Sequence, residues 1–143
     1  MKRFFLLLII TFAIALIPTI FIDFNTSYLI KPALFPSNTV FPIVWSILYI
    51  LITISLYITT TDDNVIYKSY FIQLIVNALW SPLFFGLKWY LIAFIWLVLL
   101  FILVIRMILE MKQKSNVAFY LQIPYVIWIL FAGYLNLGVF LLN

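Results

Sequence analysis

Residues 91–105 read LIAFIWLVLLFILVI, fifteen consecutive positions without a charge, an amide or a hydroxyl. A helix that is apolar all round cannot show a polar face to water, so it needs an apolar solvent or complete burial. Four more segments of similar character can be cut at their polar punctuation, giving 4–22, 39–59, 65–86, 89–109 and 117–142. Each approaches the roughly 20 residues that carry a helix across about 30 Å of hydrocarbon. Composition removes the alternative of a large soluble core: 68% of the 143 residues are hydrophobic and 8% charged, with mean hydropathy +1.27. A soluble domain is nearer about half apolar and a quarter charged. The segments show no period-2 alternation, and helices satisfy their own backbone polar groups in lipid. The expected fold is an all-α integral membrane protein, a five-transmembrane-helix bundle forming a single domain over residues 1–143.

Several function classes fall away at once. The chain has no histidine and no cysteine. It therefore lacks the usual general base and the commonest metal and haem ligands, and no metal site or bound cofactor is expected. Four acids, Asp23, Asp62, Asp63 and Glu110, fall in loops or near helix ends, so no catalytic acid–base pair is visible. The net charge of +4 comes from scattered residues rather than a basic face, which argues against nucleic acid.

Lys2-Arg3 followed by FFLLLIITFAIALI also fits a secretory signal peptide. The apolar run continues through Pro18 to Ile22 without a small-residue cleavage site, so a retained helix is expected. If five helices alternate, Lys2, Arg3, Lys68, Arg106, Lys112 and Lys114 gather on one side, against Lys31 and Lys88 on the other. Basic loops mark the cytoplasmic side, so the reading places the N-terminus inside, the C-terminus outside, and the 31–38 loop outside. Trp89 and Tyr90 then read as interfacial belt residues.

Polar and aromatic residues pick out helical stripes. Gln73, Asn77, Trp80 and Phe84 share a face of the third segment, and Pro42, Trp45 and Tyr49 one of the second. Tyr125, Trp128, Ala132 and Asn136 share a face of the fifth. Amides in hydrocarbon are costly without partners, so these stripes should point inward. At 1.5 Å per residue, Trp45 and Trp80 lie roughly 8 and 9 Å below the outer surface, Asn77 about 14 Å and Trp128 about 20 Å. Interhelical glue is the plain explanation of each polar residue singly. Together they sketch an aromatic-walled pocket with one amide, covered by the stiff loop KPALFPSN, a form suited to flat organic ligands. The fourth segment should face lipid or another subunit.

Three stretches carry a resemblance. KPALFPSNTVFPIVWSILYILI, VNALWSPLFFG and IPYVIWILFAGYLNLGVFLLN resemble, in order, the first loop with second helix, the third helix and the last helix of the translocator protein/tryptophan-rich sensory protein family. The likeness spans residues 31–143. It implies a homodimer in a membrane, the bacterial cell membrane being the expected one, whose partners are lipid and a porphyrin-type small molecule such as protoporphyrin IX. It places cavity positions at Trp45, Asn77, Trp128 and Ala132, with Pro32, Pro36 and Pro42 framing the entrance. Tyr49 and Trp80 join them from the stripes. Phe35-Pro36-Ser37 departs mildly from the family's aromatic-Pro-Pro. Leu137 and Leu141 stand where the sterol pattern needs Tyr and a basic residue, which counts against a sterol role. Three functions stay open: a porphyrin sensor, a light- and oxygen-dependent porphyrin-degrading enzyme using Trp45 and Trp128 as catalytic residues, and a porphyrin or lipid transporter. An assembly protein without a ligand is the remaining alternative.

Overall fold

The structure is a computed structural model that describes residues 1–60 and 64–143. Among these residues all regular structure is helical, and five helical stretches are long and apolar enough to cross a membrane. The polar break expected at residues 60–64 falls partly at Thr61, Asp62 and Asp63, which lie outside the described residues.

Helix α1 covers Lys2–Leu16 and tightens into a 3₁₀ turn at Ile17–Thr19. The sequence reading carried this helix to Ile22. Pro18 ends it sooner, because proline lacks the N–H an α-helical turn needs and crowds the residue before it. Helix α2 is Val40–Thr59 and α3 is Asn64–Ser81. Pro82 stops the regular α3 ladder, and Pro82–Gly86 widens into a π turn in which the Leu87 N–H donates to the Pro82 carbonyl at 2.9 Å. Helix α4 is Tyr90–Lys112. The last span, expected as one helix, is broken into α5, Asn116–Leu121, and α6, Ile123–Leu142. Pro124 supplies the cause, sitting in the first turn of α6 where its missing N–H costs nothing.

Helix α4, expected to face lipid or another subunit, has one face exposed and the other packed inside the bundle. One stripe, Ala93, Leu97, Leu100, Val104, Met107 and Met111, is fully buried, with α4 packed chiefly on α3 and α6. Its other face leaves Ile95, Val98 and Ile102 exposed. With apolar side chains on both faces, composition could not tell which one packs.

Polar residues tie the bundle at two levels. The hydroxyls of Thr11 in α1, Thr53 in α2 and Tyr70 in α3 form a buried cluster with separations of 2.6 to 3.3 Å. At the end holding the N-terminus, Arg3 Nη2 donates to Thr60 Oγ1 at 2.8 Å.

The long connection from α1 to α2 folds back over the opposite end of the bundle. Asn143 grips it from the end of α6: its Oδ1 accepts from the Ile30 N–H at 3.0 Å while its Nδ2 donates to the Ile30 carbonyl at 2.9 Å. Tyr134 Oη donates to the Ala33 carbonyl at 2.9 Å, and Pro32 lies against Gly138, where a Cβ would sit 2.6 Å from the proline ring. Next to this anchor Leu34 takes φ 65°, a left-handed turn that a branched side chain adopts only under constraint.

Candidate functional site

Beneath the loop lies a cavity of about 300 Å³. α2 supplies Phe41, Pro42, Trp45, Ser46 and Tyr49, successive turns of the face that the spacing of Pro42, Trp45 and Tyr49 had marked. α3 supplies Asn77, Ala78, Trp80 and Ser81, and the π turn adds Phe85. The third wall comes from α1, through Ala15, Leu16 and Thr19, with Phe24 and Asn38 reaching down from the loop. Among the described residues no charged side chain lines it; its polar groups include one amide each from Asn38 and Asn77 and the hydroxyls of Thr19, Ser46, Ser81 and Tyr49.

The aromatic wall is ordered by contact. Trp45 stacks on Tyr49 with ring centroids 5.6 Å apart and planes 24° from parallel, and Trp80 stacks on Phe84 at 5.1 Å. Trp80 is held further by its Nε1, which donates to Asn136 Oδ1 at 3.0 Å, while Asn136 Nδ2 donates to the Tyr90 carbonyl at 2.7 Å. Tyr90, expected as an interfacial belt residue, is thus half-buried and anchored, whereas Trp89 is exposed.

Asn77 sits at the head of a buried chain of hydrogen bonds. Tyr49 Oη donates to Asn77 Oδ1 at 3.1 Å, Asn77 Nδ2 donates to Tyr125 Oη at 2.7 Å, and Tyr125 Oη donates to Gln73 Oε1 at 2.7 Å. The three inward stripes therefore meet, and their polar groups answer one another across α2, α3 and α6. An amide in this setting ties helices together.

The residues expected at the site separate into two groups. Pro42, Trp45, Tyr49, Asn77 and Trp80 line the cavity. Trp128 and Ala132 do not. Trp128 stands behind Trp45, perpendicular to it at 6.5 Å, and edge-on to Phe41 at 6.0 Å. Ala132 lines a second space of only about 10 Å³, with Phe35, Phe41, Trp80, Phe84, Phe85, Leu135 and Asn136. Pro32 packs on Gly138, and Pro36 is half-buried in the loop without lining the cavity. The sequence reading missed the wall from α1, whose apolar surface carries no polar stripe to mark it. Phe41, Ser81 and Phe85 were within reach: Phe41 precedes Trp45 by four residues, and Ser81 and Phe85 follow Asn77 by four and eight.

Comparison with known proteins agrees with this architecture. The TspO/MBR family profile matches residues 5–142. The chain belongs to the TspO/MBR family. It is 40% identical over 117 residues to a tryptophan-rich protein TspO of Archaeoglobus fulgidus, an overlap covering 79% of this chain and 76% of that one. It is 36% identical over 119 residues to protein CrtK of Rhodobacter capsulatus (79% and 74% covered) and 31% identical over 121 residues to a translocator protein homolog of Schizosaccharomyces pombe (79% and 74%). Family membership and five apolar spans make it an integral membrane protein.

Proposed function

We propose that this TspO/MBR protein is a membrane sensor that binds a porphyrin-type tetrapyrrole in the cavity under the first loop and is linked to tetrapyrrole metabolism or the stress response. The observation that carries this reading is the cavity itself: stacked indole and phenol walls, no charge, and a single deep amide. A flat aromatic ligand gains from stacking on such walls, and few polar groups suffice to set its orientation. In this reading the protein works as a homodimer in a bacterial cell membrane, with its N-terminus cytoplasmic, as the family resemblance and the distribution of basic residues suggest. Transport receives less support, because the charged residues stand at or near helix ends and leave no charge at the bilayer midplane to couple movement to an ion gradient. The test is titration of the purified protein with protoporphyrin IX, following tryptophan emission. Saturable one-to-one quenching that Trp45→Ala weakens at least tenfold is expected; linear, nonsaturable quenching identical in the variant would refute the proposal.

A second reading has its own observation. Trp45 touches the cavity and Trp128 meets it edge-on at 6.5 Å, so an oxidising equivalent produced on Trp45 by an illuminated tetrapyrrole and oxygen has a second indole beside it. Porphyrin degradation by this route would yield a discrete absorbing product under light, lost in Trp45→Phe and diminished in Trp128→Phe with binding largely retained. Unspecific bleaching, equal in both variants, would leave a binding protein.

A further inference from the structure

Phe41 lines both the 300 Å³ cavity and the 10 Å³ space beside Ala132, and touches Trp128 as well. Trp80 and Phe85 also border both spaces, but neither is free to turn. The Trp80 indole is tied to Asn136, and Phe85 is wedged among Phe24, Trp80 and Phe84 with centroid separations of 4.8 to 5.9 Å. Phe41 differs. It sits in the first turn of α2, is half-buried, and meets only Phe35 and Trp128 among the described ring contacts, at 5.8 and 6.0 Å. One of those two partners, Phe35, rides on the loop just past the left-handed turn at Leu34.

We infer that Phe41 is a movable partition that sets the size of ligand the cavity admits. With Phe41 in place the cavity is at the lower end of the range for small-molecule sites, about 300–1,000 Å³, and takes a ligand of two or three fused rings. A four-pyrrole macrocycle is wider, and gains its space when the half-buried Phe41 ring turns out of the wall, vacating its own volume and joining the cavity to the small space beside Ala132. The same movement uncovers Trp128, whose Nε1 is buried with no hydrogen-bond partner among the described residues and is the donor that a polar edge of a large ligand would engage. Phe41 is thus a specificity-determining residue, and the inference rests on the tetrapyrrole reading above only in the identity of the large ligand.

Purified full-length protein is tested with two probes, protoporphyrin IX by stopped-flow quenching and 2-naphthol by calorimetry. In Phe41→Ala the porphyrin association rate rises about tenfold, because two aromatic contacts no longer have to break, while 2-naphthol affinity falls about two- to fivefold, roughly the loss of one wall. In Phe41→Trp porphyrin association slows by a similar factor and 2-naphthol binding persists, which also reports that the variant is folded. Movement of both probes in the same direction in Phe41→Ala, or a native porphyrin rate in Phe41→Trp, overturns the partition. Native protein that binds 2-naphthol but no porphyrin refutes the proposed function instead. Porphyrin binding gained by Phe41→Ala would then still support the partition, and none in either protein would refute it.

Discussion

The side-chain amide of Asn77 has both of its ends committed inside the protein, accepting from Tyr49 and donating to Tyr125, while also facing the cavity. Removing it strands the Tyr49 hydroxyl in an apolar interior and takes away the donor that Tyr125 Oη accepts from, leaving that hydroxyl its bond to Gln73. Each such loss costs on the order of 1–3 kcal/mol in water-soluble proteins, and about 0.6 kcal/mol on average inside membrane bundles, where alternative partners exist. Asn77→Ala should therefore weaken ligand binding and also lower the unfolding temperature in detergent by several degrees; a variant of native stability would show that Tyr49 and Tyr125 find other partners. The same side chains bear on metalloporphyrins. Of the residues around the cavity only Tyr49 carries a recognised axial ligand atom for haem, and its proton is given to Asn77. The buried methionines, Met107 and Met111, belong to the inner stripe of α4 and not to the cavity wall. Metal-free protoporphyrin should bind at least as tightly as ferric haem; a haem affinity tenfold higher with a six-coordinate absorption spectrum would contradict this.

Loop and helix α6 form one working unit. The bracket between Asn143 and Ile30, the Tyr134 hydrogen bond and the seat of Pro32 on Gly138 fix the stretch of the loop from Ile30 to Ala33. The remainder rests over the cavity through ties within the loop, such as Thr26 Oγ1 donating to Asn38 Oδ1 at 2.8 Å. Gly138→Ala would drive a methyl into a stiff proline ring, at a strain of about 1–3 kcal/mol if nothing yields. The loop yields more readily than α6, so the variant should release bound ligand faster and expose the loop to protease, with the spans intact. Unchanged release and cleavage would mean the loop is held elsewhere. The helices were legible in the sequence because runs such as 91–105 admit no other structure, and the stripes of Trp45 and Asn77 were legible because polar or aromatic residues recur at helical spacing. The seat of Pro32 was not, since a glycine in a helix gives no sign of which distant residue approaches it. Trp128 was expected to touch the cavity because its stripe faces inward, which it does; periodicity gives a direction, and only packing reveals that the lining residues Trp45 and Phe41 are packed against it.

At the scale of the molecule, the two ends of the bundle differ in charge as the sequence suggests. Arg3 is joined to Thr60, and Ser55, near the end of α2, donates to the Ala118 carbonyl at 3.3 Å, so the start of α1, the end of α2 and the turn from α4 to α5 share one end. At the opposite end stand Lys31, over Phe35 at 5.2 Å, and Lys88, over Tyr28 at 4.3 Å. Both of these cations lie on aromatic rings beside the loop, where the ring face partly offsets their cost near the membrane surface. The five remaining basic residues, Lys2, Lys68, Arg106, Lys112 and Lys114, belong to the first end by chain position, giving six against two. An insertion machinery that retains positive loops in the cytoplasm should leave that end inside. Five crossings should then put Asn143, the loop it grips and the cavity mouth beneath it on the side away from the cytoplasm. A reporter that fluoresces only in the cytoplasm should be dark when fused after Asn143 and bright when fused before Met1. The reverse pattern would invert the orientation and place the cavity mouth inside, while brightness at both termini would require an even number of crossings.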